Sequence, residues 1–157
     1  MTGVQRRFQI KGEARGVLVL DDYGHHPTEI RAVLETLEGC YPDRRRIIAF
    51  QPHRFTRTQA LLEQFSRCFN HCDTLLISEI YAASENPIPG VTGQALVEAI
   101  AAHGRNDLHF CPTLEEMHDK LFSIVQPGDV VMTLGAGNIL QVGESLLKTL
   151  EQRGPSE

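Results

Sequence analysis

The sequence predicts an α/β fold: a mostly parallel sheet of about six strands with helices on both faces and an N-terminal strand in a hairpin. Three observations carry that prediction. Short apolar runs alternate with longer amphipathic ones, the rhythm of repeated βα units. The short runs, such as Ile47-Ile48-Ala49-Phe50 and Val130-Val131-Met132, are apolar throughout, as in strands covered on both faces. Polar, chemistry-bearing residues gather where strands give way to helices, which is where open parallel sheets of this Rossmann-like kind bind ligands.

Taken in order, Arg7-Phe8-Gln9-Ile10-Lys11 is the first expected strand, Gly12-Glu13-Ala14-Arg15-Gly16 a turn, and 16–20 its hairpin partner. Further strands are expected over 46–50, 74–78, 108–111 and 129–133, and helices over 28–39, 56–70, 92–103, 113–123 and 139–152. Helix starts announce themselves. Pro27 precedes Thr28-Glu29, Thr56 follows a strand, and Thr113 with Glu116 forms a capping box. The parallel strands should present their carboxyl ends on one rim. The segment 81–90 is long for a βα connection and is stiffened by Pro87 and Pro89. It either serves the site, through Tyr81 and Glu85, or packs over the sheet edge. No repeat, low-complexity tract or linker interrupts the chain, so 1–157 is expected to be one domain, frayed only over 153–157.

A length of 157 residues and a hydrophobic content of 41% suit one domain with a real core. A net charge of -5 argues against nucleic acid, whose phosphates call for a basic face. The cluster Arg44-Arg45-Arg46 is expected to be a solvated turn rather than a binding patch. No apolar run approaches the roughly 20 residues of a membrane span, and no signal-peptide core is present, so a cytoplasmic protein without membrane contact is expected. Cys40, Cys68, Cys72 and Cys111 form no C-x-x-C pair and are expected as reduced, mostly buried thiols. A zinc site from Cys68, His71 and Cys72 lacks a fourth ligand.

Two strand-to-helix corners carry the chemistry. In the first, Val17-Leu18-Val19-Leu20 runs into Asp21-Asp22-Tyr23-Gly24-His25-His26-Pro27. Strand alternation turns one aspartate into the crevice and leaves the other to bond locally. A crevice carboxylate can accept bonds from a ribose diol, ligate a metal or orient a histidine, and its bland alternative is an Asx turn. Of His25 and His26, which must diverge, one should face the site and the other donate to a backbone carbonyl. A metal held by Asp22, His25 and His53 is not forced by spacing, and no metal is assigned. In the second corner, Phe50-Gln51-Pro52-His53-Arg54-Phe55-Thr56-Arg57-Thr58 places an imidazole and two guanidiniums at a strand end. Arg54 and Arg57 can share a face and grip a carboxylate or phosphate, or they pair with Glu63 on the surface. A third turn, Gly135-Ala136-Gly137-Asn138, offers backbone amides to an anion, but Leu140 stands where a dinucleotide fingerprint needs its last glycine. The chain has no phosphate loop and no nucleophile elbow. These residues amount to half a site.

Arg6-Arg7-Phe8, the D-Y-x-H-x-P element at Asp22 to Pro27, the run 50–58, the loop 81–90 and Gly135 to Ile139 together resemble the C-terminal domain of the Mur ligases. The likeness spans nearly the whole chain. The run F-Q-P-H-R-[FY]-x-R-T points to the member that joins L-alanine to UDP-N-acetylmuramate rather than to the murein-peptide recycling one. The resemblance implies an ATP-dependent amide ligase working through an acyl phosphate, with magnesium, in peptidoglycan precursor synthesis. It also implies an N-terminal UDP-binding domain and a central ATPase domain that are absent here. On it, Asp22 corresponds to the acceptor of the ATP ribose and Arg7 to a residue aiding nucleotide closure. Tyr23 and His25 face the reacting end of the substrates, His53, Arg54 and Arg57 hold the amino acid, and Gly135, Gly137 and Asn138 line the same pocket. His25 and His53 are the catalytic candidates, and the amine's proton is left to His25, His53 or phosphate, with no general base assigned. Met1-Thr2 departs from the family pattern, as expected of a start at a domain boundary, and the fragment is expected to be inactive and to bind no cofactor alone. The rival readings are an independent anion- or nucleotide-binding module and a metal-dependent hydrolase.

Overall fold

Burial decides which apolar runs become strands, and the sheet shows it. In the computed structural model, which describes residues 7–105 and 107–153, β1 (Gln9–Ala14) and β2 (Val17–Asp22) form an antiparallel hairpin. Its turn is two residues, Arg15 and Gly16, not the expected five. Both take positive φ, 54° and 80°, the mirror-image turn whose twist matches its flanking strands. Gly12 instead lies within β1, where the register shifts between Ile10 and Gly12 in a bulge.

The remaining strands are β3 (Arg46–Phe50), β4 (Thr74–Ile77), β5 (Leu108–Phe110) and β6 (Val130–Leu134). The order is β1-β2-β6-β3-β4-β5, with every pair beyond the hairpin parallel. One face is covered by α1 (Pro27–Cys40), α3 (Leu62–Arg67) and α4 (Gly93–Ala101), whose Ile30, Leu34, Phe65 and Leu96 pack on Leu20, Ile48, Phe50 and Met132. The other carries α5 (Leu114–Ile124) and α6 (Leu140–Gln152), whose Met117, Leu121, Val142 and Leu146 pack on Val19, Ile47 and Val131. The chain therefore leaves β6 toward the face opposite to that taken after β2 and β3. A crevice opens at such a divergence.

The helix expected over 56–70 is broken. α2 (Phe55–Ala60) ends at Leu61, whose φ of -115° and ψ of 20° redirect the chain into α3. The bend seats Phe65 and Phe69 against Phe50, with ring centroids 5.8 and 5.1 Å apart, while Phe55 and Thr58 stay buried beneath the rim. Tertiary packing here overrides an unbroken helical period. Arg46 is also no solvated turn residue. Its buried guanidinium donates to the carbonyls of Tyr41, Pro42 and Arg44, and Arg45 pairs with Asp129 at 2.7 Å. Cys68, Cys72 and Cys111 are buried, and burial pushes their thiols up to about 12, 11 and 11, which leaves them unreactive. His71 turns to Glu38 at 3.1 Å. Among the described residues no helix is long and apolar enough to cross a membrane. Residues 1–6, including Arg6 and the Met1-Thr2 start, and the tail beyond Arg153 lie outside the described residues.

Close packing reaches the loop that serves the rim. A Cβ on Gly93, the first residue of α4, would stand 2.5 Å from the Ser78 carbonyl oxygen and 2.8 Å from the Phe110 ring. Gly93→Ala is accordingly expected to destabilise the chain by about 2 kcal/mol, read from the urea midpoint, because backbone cannot yield as a side chain does.

Candidate functional site

Parallel registers bring Asp22, Leu134, Phe50 and Ile77 level, so the segments after β2, β6, β3 and β4 share one rim. Strand alternation separates the two aspartates, and both are buried. Asp21 faces α6's side and accepts from Thr133 Oγ1 at 2.7 Å. Asp22 faces α1's side, where Oδ1 accepts from the Phe8 amide at 2.6 Å and Oδ2 from the Gly24 amide at 2.8 Å. Burial pushes its carboxyl above the ordinary range, against the pull of those two amides and of Arg7. Arg7 itself pairs with Glu29 at 3.3 Å.

The histidines part as expected, but with their bonding exchanged. His26 is the N-cap of α1: its Nδ1 accepts from the Thr28 amide at 3.2 Å, and Glu29 reaches back to its backbone N–H. His25 is the one that faces the rim, and it contacts the Tyr23 carbonyl oxygen through Nδ1 at 3.2 Å. Glu29 also accepts from the His25 amide at 3.2 Å. Burial pushes Glu29 up, yet the His25 and His26 amides, His25 and Arg7 together carry its carboxyl below its usual range.

A row of rings crosses the crevice. Tyr23 meets His25 edge-on at 5.3 Å, His25 lies 6.0 Å from His53, and His53 stacks on Tyr81 at 5.5 Å with 12° between planes. Tyr81 is held by a parallel bridge to His53, donating N–H to Pro52 O and accepting from Arg54 N, both at 2.8 Å. On its far side the ring abuts Gly137, where a Cβ would come within 2.8 Å of Tyr81 and 2.6 Å of Gln51 Oε1. Only glycine fits there. Gln51, absent from the expected site, ties the glycine turn down by donating to Asn138 Oδ1 at 2.9 Å, while its buried Oε1 has no partner. Gly135, at φ 149°, donates to Asp22 O at 3.1 Å.

Arg57 lies against this row, and the surface alternative fails because Glu63 pairs with Arg67 instead. Arg57 Nη1 donates to His53 O at 3.1 Å and stands 3.2 Å from its Nδ1. Arg54 is exposed at a strained φ of 76°. Glu85 does not face a ligand: it accepts from the Phe55 and Thr56 amides and the Thr56 hydroxyl, fastening the long loop to α2. Tyr23, His25, His53 and Arg57 are therefore linked in one run of contacts at the rim, and Tyr81, which sequence reasoning left undecided, joins His53 to the Gly137 turn. A separate groove of about 320 Å³ lies between α5 and α6, and its His118 is occupied by Asp119 and Thr149.

Burial, Arg57, His25 and Arg54 together lower the His53 pKa from 6.5 to about 4, so the ring is neutral at pH 7. A depressed histidine contributes stability that is present above 6.5 and is lost as pH falls toward 4, since the unfolded chain takes up the proton first. Between pH 7 and pH 5 the melting temperature of the chain should fall further than that of His53→Gln. Equal falls in thermal melts would contradict this placement.

Residues 6–137 match the family described as Mur ligase, glutamate ligase domain. The UDP-N-acetylmuramate--L-alanine ligase of Syntrophobacter fumaroxidans is 69% identical over 156 residues, covering 99% of this chain and 33% of that protein. The ligase of the same name from Geobacter sulfurreducens is 51% identical over 150 residues, covering 96% and 32%. The chain thus spans about a third of the length of these curated relatives. A crystal structure of the UDP-N-acetylmuramate-alanine ligase of Thermotoga maritima superposes with a TM-score of 0.77 at 23% identity, covering 94% of this chain and 30% of that one. A murein peptide ligase from Psychrobacter arcticus reaches 0.76 at 20% identity. These last two likenesses speak for the fold.

Proposed function

The chain belongs to the Mur ligase family, and from that membership we propose that it is the C-terminal, amino-acid-binding domain of a UDP-N-acetylmuramate:L-alanine ligase. The observation that supports this reading is the contact of His53, a neutral imidazole, with a second histidine and with Arg57 at the rim, next to the glycine turn that Tyr81 abuts. An amino acid offers a carboxylate and an amine, and a guanidinium beside two imidazoles suits both. Arg57 and Arg54 pair with the carboxylate, bidentately where geometry allows. Tyr23, His25 and His53 surround the amine and the activated carbonyl, and the Gly135, Gly137 and Asn138 turn closes the wall.

The residues described fit the nucleotide only in part. Among them no group of histidine, cysteine or carboxylate side chains is arranged to hold a metal ion, and on this reading magnesium and the ATP phosphates belong to a central domain outside the present sequence. Asp22 can receive a ribose hydroxyl on Oδ1 once the Phe8 amide lets go, with Arg7 beside it. The acyl phosphate of UDP-N-acetylmuramate is formed on that other domain and presented to this rim, in the cytoplasm where such nucleotide-linked precursors are handled.

The test uses the complete protein. ADP release should require both UDP-N-acetylmuramate and L-alanine, and the present chain alone should release none. Turnover without alanine, or tight ATP binding by this chain alone in calorimetry, would favour a self-sufficient nucleotide-binding module and sink the reading.

A further inference from the structure

His25 and His53 are addressed by neighbours of opposite kind, and that difference fixes where each carries its proton. Around Nδ1 of His25 the described residues place two acceptors, the Tyr23 carbonyl oxygen at 3.2 Å and Glu29 Oε1 at 3.7 Å. Acceptors are satisfied by Nδ1–H, which leaves the lone pair of His25 on Nε2. His53 is the converse. Its Nδ1 faces Arg57 Nη1 at 3.2 Å, and a guanidinium has protons to give but no lone pair to offer. Nδ1 must therefore accept, and the His53 proton sits on Nε2. The second bond of Arg57, to the His53 carbonyl, fixes the guanidinium beside Nδ1, and Tyr81 stacks flat on the ring. The charged and titratable groups facing His53 are Arg57, His25, Arg54 and Glu85, and the basic ones oppose a second proton.

Resting on the ligase reading, we propose that the two histidines divide the work of amide formation. His25 accepts at Nε2 the proton shed by the attacking amine, and His53 donates from Nε2–H to the carbonyl oxygen as it gains negative charge. The nitrogen lone pair forms the C–N bond, and the carbonyl π electrons move to oxygen, where the His53 donor meets them. On collapse that pair returns, the C–O bond to phosphate breaks with its electrons leaving on phosphate, and the amine proton stays on His25. Nothing else is consumed.

Nitrogen-15 NMR of the imidazoles in this chain at pH 7.5 should show His25 protonated at Nδ1 and His53 at Nε2. The same tautomer on both, or the reverse assignment, overturns the proposal. In the complete ligase, His53→Gln keeps an N–H donor and should retain at least about ten times the turnover of His53→Ala, whereas His25→Gln, having no base, should fall about 100-fold, as far as His25→Ala. Turnover that survives in His25→Gln while His53→Gln matches His53→Ala also overturns it. Failure of the ligase reading looks different: the wild-type enzyme would then show no alanine-dependent ADP release, and the NMR assignment would still decide the tautomers.

Discussion

Arg54→Gly is expected to make the chain more stable and, on the proposed function, the complete ligase worse. Arg54 sits at φ 76° and ψ 139°, a region that side chains avoid, at a cost of order 1–3 kcal/mol. Two constraints hold it there. Its amide donates to Tyr81 O at 2.8 Å, and its carbonyl accepts from the Thr58 amide and hydroxyl at 3.2 and 2.8 Å, so the backbone is fixed by the β-bridge on one side and by α2 on the other. Glycine relieves the strain but enlarges the unfolded ensemble, and a net gain of about 1 kcal/mol should appear as a higher urea midpoint. In the complete ligase, loss of the guanidinium should raise the alanine KM about 100-fold, roughly 2.7 kcal/mol, with a smaller effect on kcat. Arg54→Ala keeps the strain and should show the same KM without the gain in stability. An Arg54→Gly enzyme with unchanged alanine KM would mean that the Arg54 guanidinium does not hold the substrate.

Asp22→Ala is expected to give the largest loss of stability among changes at the rim. Both carboxylate oxygens are engaged, at 2.6 Å with Phe8 N and 2.8 Å with Gly24 N, in a residue only 1% exposed. Alanine leaves two amides facing a methyl group, and a loss of about 3 kcal/mol should register in chemical denaturation of this chain. Asp22→Asn retains one acceptor but turns an NH2 group toward the other amide, so it should lose roughly half as much. In the complete ligase, both variants should weaken ATP use more than alanine use. A wild-type urea midpoint in Asp22→Ala would mean that the clamp on Phe8 contributes nothing.

Most of the sheet was legible because its strands are buried on both faces and apolar without interruption. The hairpin differs from expectation over Gly12, Glu13 and Ala14, which belong to β1: Gly12 looks like turn punctuation, yet it belongs to a bulge, and nothing local distinguishes the two. The break at Leu61 was hidden because the apolar period continues through it, and only the position of Phe50 on the sheet explains the bend. At the site, the rule that ligands gather beyond strand carboxyl ends was enough to bring Asp22, His25, His53 and Arg57 to one rim. It could not sort neighbours. His26 became the cap through a ring nitrogen, a use of histidine that capping preferences do not flag, and Glu85 spent its carboxylate on the start of α2. Tyr81 and Gln51 matter through contacts made across the sheet, with His53 and with the turn after β6, and sequence distance conceals both.

The two outer strands of the sheet are unlike its centre. β5 is three residues long, and β1, although six, is interrupted by its bulge and carries Lys11. A foreign strand seeking to extend the sheet thus finds one margin too short to template it and the other kinked and charged. Cross-β stacking and strand exchange between copies are therefore discouraged at both margins.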